Sequence, residues 1–201
     1  MELPFMVRSR CSMVGFGALV KELGLWKALK AGAVSETLPD PFRTLAAADG
    51  EGERLSRMQI GPAINLYKAL QGDLGTEKAL AVVKTVVEAA TQPFLKHTVG
   101  DVGAEQWRAL TDEGRAAFAG VMAEKFFNAT GRLGAVSADG FDFTVDRCLF
   151  AGLCAGAGVP ELAPVFCDGD LHYFSRGPIK LLRTVTLSAN GKPCDFRFRI
   201  E

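Results

Sequence analysis

Residues 141–148, Phe141-Asp142-Phe143-Thr144-Val145-Asp146-Arg147-Cys148, place a large apolar side chain at every second position as far as Val145. A two-residue period is that of a strand with one buried face and one wet face. Cys148 falls on the polar side of the alternation, which is unusual for a residue that only fills core. Near the C-terminus the pattern returns: Cys194, Phe196, Phe198 and Ile200 alternate with Asp195, Arg197 and Arg199. Leu181, Val185 and Leu187 outline a further strand, and Asn190-Gly191 reads as a hairpin turn leading to the last one. This alternation sets Arg183 among apolar neighbours, where a charge must be paired or functional.

Upstream the period is helical. Met13, Phe16, Val20 and Leu23, with Leu19 and Trp26 beside them, predict a helix over 12–30 with this stripe as its inner face. The Pro/Gly/Asp-marked stretch 32–52 reads as irregular. Leu55, Met58, Leu66 and Leu70 outline a second helix broken or kinked at Pro62. Gly72-Asp73-Leu74-Gly75 reads as a turn, and Thr76 as the N-cap of a third helix that ends or bends at Pro93. Trp107, Leu110, Phe118, Val121, Met122 and Phe126 suggest further helix up to Gly131, with Trp26 and Trp107 both in the core. The expected fold is α+β: a helical N-terminal two-thirds packed on a small, largely antiparallel C-terminal sheet. One domain is expected over 1–201, mainly helical over 1–131 and strand-rich over 132–201.

The chain has 201 residues, and 23 Lys+Arg balance 23 Asp+Glu to a formal net charge of zero. A neutral chain lacks the excess positive charge that drives bulk nucleic-acid binding. No apolar run reaches the roughly 18 residues of a membrane helix, and the stretch around Arg8 to Val20 reads as an amphipathic helix rather than an export signal. The charges are unevenly placed. Residues 139–170 carry Asp139, Asp142, Asp146, Glu161, Asp168 and Asp170 against Arg147 alone. Residues 171–201 carry Arg176, Lys180, Arg183, Lys192, Arg197 and Arg199 against Asp195 and Glu201.

Five cysteines, an odd number, suit reduced thiols and a cytoplasmic setting. Four of them, Cys148, Cys154, Cys167 and Cys194, lie in the last third of the chain. Their spacings fit no compact metal knuckle, and neither a metal nor a cofactor is expected. Cys154 and Cys11 read as packing. The densest chemical segment is Cys167-Asp168-Gly169-Asp170-Leu171-His172, with a thiol, two carboxylates and a histidine in six residues. It reads as a turn after a helix, with Gly169 permitting the bend. A carboxylate or histidine in reach could activate the thiol or a water.

Taken in order, several of these segments resemble one family. They are Phe143-Thr144-Val145-Asp146-Arg147-Cys148, Val159-Pro160-Glu161-Leu162, Cys167-Asp168-Gly169-Asp170, Arg183-Thr184-Val185-Thr186-Leu187, and Cys194-Asp195-Phe196-Arg197-Phe198 after Gly191. Together they are similar to the L-2-amino-thiazoline-4-carboxylic acid hydrolase family over residues 141–199. The resemblance implies hydrolytic opening of a cyclic isothiourea to an N-carbamoyl cysteine. It makes Cys167 or Cys148 the nucleophile, Asp170 the base or orienting acid, Cys194 a third thiol in the pocket, and Arg183 the holder of a substrate carboxylate. Asp168 joins the expected substrate-binding residues. His172 is added for its proximity to Cys167, not from the family pattern.

The leading expectation is therefore a hydrolase acting on carbon–nitrogen bonds in small cyclic amidine carboxylates. It would have a small-molecule substrate, no nucleic acid or membrane partner, and self-association into a homo-oligomer left open. A metal- or cluster-binding redox protein using the same cysteines and a non-catalytic small-molecule-binding module are the alternatives.

Overall fold

The computed structural model describes residues 4–100 and 103–201. Helices come first: α1 (Phe5–Leu23), α2 (Leu25–Thr37), α3 (Gly50–Leu74), α4 (Thr76–Thr98), α5 (Ala104–Arg108) and α6 (Asp112–Glu124). A hairpin follows, β1 (Ala129–Ser137) and β2 (Gly140–Cys148), then α7 (Leu149–Gly156), a 3-10 turn (Pro160–Leu162) and α8 (Ala163–Phe174). β3 (Ile179–Leu182), α9 (Leu187–Asn190) and β4 (Cys194–Ile200) close the chain. The four strands form one antiparallel sheet in the order β1-β2-β4-β3. The fold is α+β, with helices leading and a small antiparallel sheet at the C-terminal end.

The alternation in β2 and β4 is realised in the core. Phe141, Phe143 and Val145 are buried opposite Phe198, Phe196 and Cys194 respectively. Phe141 stacks on Phe198 with ring centroids 4.6 Å apart. Trp107 is fully buried against Phe141, and its indole N–H donates to the carbonyls of Ser137 and Ala138 at 3.2 and 3.0 Å. A second apolar cluster joins α2, α3 and α4 to α7 and the start of α8, and Cys148 packs against both clusters. No helix among the described residues is long and apolar enough to cross a membrane.

Several local expectations are corrected. The predicted helix over 12–30 is two helices, because Gly24 takes φ 77° and turns the chain. Its expected inner stripe is split: Met13 and Trp26 are 69% and 82% exposed and Phe16 is exposed as well, whereas Val20 and Leu23 pack against the helical cluster. Leu19 is the buried anchor of α1. α3 runs through Pro62 and α4 through Pro93, since a helix held by tertiary contacts tolerates one lost backbone bond. α3 also continues through the predicted turn to Leu74, and the residue capping α4 is Gly75, not Thr76. The strand expected through Leu187 stops at Leu182, and Leu187 opens α9. Asn190-Gly191 ends α9, with Gly191 in the left-handed region at φ 65°, instead of turning a hairpin.

The segment expected to turn at Gly169 is helix throughout, inside α8. A Cβ on Gly169 would lie 2.8 Å from Thr91 Oγ1. Gly169 therefore serves close packing of α8 on α4 and not chain reversal.

Candidate functional site

Two sequence distances collapse at one end of the sheet. β2 ends at Cys148, and the antiparallel register sets the first residue of β4, Cys194, opposite Val145. α8 supplies a third side. Phe166 and Asp170 are four residues apart, Cys167 and Asp170 three, so all three share a face of the helix. Cys148, Cys167, Cys194 and Asp170 line one cavity of about 20 Å³, walled by Phe126, Phe150, Phe166, Phe196 and Val145, with Asn128 and Ala129 at the start of β1. That volume is room for about one water molecule.

Helical periodicity also divides the segment 167–172. Asp168 points away from the cavity and accepts from Lys84 on α4 at 2.6 Å and from Arg183 at 3.3 Å. His172, one turn further along the same face, lines a different hollow against α4. The structure thus brings together four of the predicted site residues and separates His172 and Asp168 from them. Proximity in sequence misled because the segment is helix, where residues 167 and 172 face different ways.

Arg183 follows the end of β3, and its side chain is only 6% exposed. Its guanidinium donates to the Cys167 carbonyl at 3.0 Å and to Asp168, and lies 5.9 Å from the centre of the Phe196 ring. The guanidinium is thus already engaged within the protein. Asp195 holds the chain just after it, accepting from the Thr184 N–H, the Thr184 hydroxyl and the Val185 N–H at 2.6 to 2.8 Å. These donors outweigh desolvation and pull the Asp195 carboxyl down to about 2.

The electrostatics single out Asp170 and distinguish the thiols. Burial pushes the Asp170 carboxyl up to about 7, against the pull of the Arg183 charge. Burial pushes the Cys167 thiol up to about 12, although the Ser188 hydroxyl 3.3 Å from its sulfur favours the thiolate. Cys194 is raised by the same cause, with the Leu187 N–H donating to its sulfur at 3.4 Å. Cys148 is raised by burial too. The Ala151 and Phe150 N–H groups at the start of α7 and the Asn128 side chain oppose that rise, and Cys148 is itself the N-cap residue of α7. Asn128 and Ser188 carry no signal in the sequence, because they reach the cysteines only through the strand register and the placement of α9.

The other cysteines and the Pro-Glu-Leu segment act structurally. Cys154 is fully buried in the helical cluster, Cys11 packs beside the sheet cluster, and all five cysteines are free thiols. Glu161 accepts from the buried Tyr67 hydroxyl at 2.7 Å, and Lys68 donates to the Ala157 carbonyl at 2.9 Å, tying the 3-10 turn to α3. Among the described residues, no group of three or more His, Cys, Asp or Glu is arranged to hold a metal ion.

Residues 54–198, from α3 to the last turns of β4, match the family model described as L-2-amino-thiazoline-4-carboxylic acid hydrolase. The chain belongs to that family. The match spans every residue that lines the thiol cavity, and it reaches back across α4 and α6 beyond the motifs of the last third. No curated protein and no solved structure matches the chain. Among the elements of this aminothiazoline-carboxylate hydrolase family member, α1 and α2 lie outside the matched segment.

Proposed function

We propose that this chain is a hydrolase that opens a small cyclic amidine or isothiourea carboxylate of the 2-aminothiazoline-4-carboxylate type, with Cys148 as nucleophile and Asp170 as the proton carrier. The observation that carries the reading is the convergence of Cys148, Cys167, Cys194 and Asp170 on one enclosed cavity. Of the three thiols, Cys148 is favoured because it is the N-cap residue of α7, where the positive end of the helix dipole stabilises a thiolate. A carboxyl that titrates near 7 can take a proton in one step and return it in the next at neutral pH.

Asp170 takes the thiol proton, and the Cys148 sulfur bonds to the amidine carbon. The bond from that carbon to the departing ring heteroatom breaks, and protonated Asp170 supplies the proton to it. The ring-opened amidine is then held on Cys148. Asp170, ionised again, accepts a proton from water as its oxygen attacks the same carbon. The Cys148 sulfur leaves with its electron pair and is reprotonated, so one water is consumed and the enzyme returns to its starting state. Arg183 orients α8 through the Cys167 carbonyl and Asp168 and lends its charge to Asp170. Its expected role in holding the substrate carboxylate would require it to release Asp168.

A cavity for one water does not admit a ring, so entry requires the wall to open. The segment carrying α9 suits this. It meets the site through two sulfur contacts, Ser188 to Cys167 and Leu187 to Cys194, and sulfur is a weak hydrogen-bonding partner. A second reading is favoured by the cavity's size: Asp170 activates the enclosed water directly, with the thiols remaining protonated. Turnover of 2-aminothiazoline-4-carboxylate by the wild type, followed by NMR, tests the activity. Mass spectrometry of the quenched reaction tests the covalent route. An adduct on Cys148 supports it, and full activity of both Cys148→Ser and Cys167→Ser rules it out in favour of direct water attack.

A further inference from the structure

α1 turns large apolar side chains outward. Phe5, Met6 and Met13 are 83%, 80% and 69% exposed. They form one wall of an open groove of about 1660 Å³, whose other walls are α4 between Thr85 and His97 and the C-terminal end of α8. Soluble chains seldom leave such side chains together without a partner. Methionine adapts its shape to what it meets, as surfaces that receive amphipathic helices require.

The same groove is lined by Arg10, Lys21, Lys96 and Arg176, against Glu22 and Glu88. Both histidines of the chain, His97 and His172, also lie along it. In a chain of zero net charge, this concavity is therefore positive.

We propose that this groove docks an acidic amphipathic helix of a partner protein, laying its apolar side on α1 and its carboxylates among the groove's cations. Length fits: a helix about 10 Å across would fill this volume over roughly three to four turns. A second copy of the chain fits less well, because an isologous contact would press two positive rims together. α1 lies outside the segment matched to the family model, residues 54–198. The proposal is independent of the reaction assigned to the thiol cavity.

The test titrates the full chain into a fluorescein-labelled 15-residue helical peptide with Leu and Phe on one face and Glu on the other, and follows anisotropy. The expected result is saturable binding, at least tenfold weaker for the same peptide with Lys in place of Glu. Met13→Glu and the double variant Arg10→Glu/Lys21→Glu should each weaken it at least tenfold. Circular dichroism checks that the variants fold, and if Met13→Glu does not, the charge-reversal pair decides. Absence of binding, equal binding of the two peptides, or unchanged binding by the folded variants overturns the proposal. So does co-sedimentation with phosphatidylglycerol vesicles without peptide binding, or a dimer in light scattering that Met13→Glu abolishes.

Discussion

The two hollows of this protein share a wall and differ in nearly everything else. α8 turns Cys167 and Asp170 to a closed cavity of about 20 Å³ and His172 to an open groove of about 1660 Å³. In the cavity, with room for about one water, burial displaces the titratable groups from their ordinary behaviour, with Asp170 near 7 and Cys167 near 12. The groove's cations line an open concavity, the setting in which the proposed acidic partner would be drawn in by charge. Size is thus a poor guide to chemistry here. The smaller hollow has the perturbed groups that bond-making needs, and the larger has the area and charge that recognition needs.

The sharpest way to break this contrast is at Cys148. If the cavity is the reaction site, Cys148→Ser lowers kcat/KM for ring opening by about a thousandfold or more, because a hydroxyl lacks the thiol's acidity. His172→Ala should leave the rate within about threefold, since His172 faces the groove. A larger effect of His172→Ala on kcat than of Cys148→Ser would move the chemistry to the other side of α8.

Asp170→Asn comes next, with an expected loss of about a hundredfold or more. A base that must be ionised gives the wild type a kcat/KM that rises with pH through about 7, and the variant should lack that limb. Stability gives a second readout. Folding raises the Asp170 pKa from 3.8 to about 7, so the native state binds its proton more tightly. That stabilisation is complete below pH 3.8 and is lost progressively as the pH climbs to about 7. Asn carries no charge to bury, so Asp170→Asn should be more stable than wild type at pH 8 by up to about 4 kcal/mol and gain little at pH 4. Urea denaturation at the two pH values checks this.

Gly169→Ala probes the shared wall itself. The added methyl meets Thr91 on α4 at 2.8 Å, and overpacking of this kind costs about 1–3 kcal/mol. Alanine's better helix propensity returns up to about 1 kcal/mol, so a net loss near 1 kcal/mol is expected. A lower midpoint in thermal denaturation would agree, whereas a gain in stability would show that Thr91 yields to the added methyl and that close packing does not require glycine there. The smallest effect is expected at Trp26, 82% exposed on α2. Trp26→Ala should change stability by less than about 0.5 kcal/mol in the same measurement, because a side chain left in water contributes little to folding.

The two tryptophans show what was legible. Both sit on apolar helical stripes, yet Trp107 is fully enclosed, packed against Phe141 of β2 and Phe118 of α6, while Trp26 faces outward. Periodicity reports that a helix has an apolar face and not what that face meets. Strands β2 and β4 were readable because one side of each is buried along most of its length. β1 was not readable, since almost all of its residues are exposed and its register comes from the ladder to β2. Cys148, Cys167, Cys194 and Asp170 stood out as residue types able to carry chemistry. Asn128 and Ser188 did not, being ordinary polar residues whose contacts are long-range.

The sequence by itself determined the α+β class, the family and a set of candidates of which Cys148, Cys167, Cys194 and Asp170 line the cavity. Alternation and motif order are local properties of the chain, and they survive folding. Tertiary structure alone decided that 167–172 is helix, that His172 and Asp168 leave the site, and that Arg183 is engaged with Asp168. It also decided that α1 and α2 turn apolar side chains outward. Each of those outcomes depends on which surfaces meet, and packing between distant segments outweighs the few tenths of a kcal/mol by which local propensities differ.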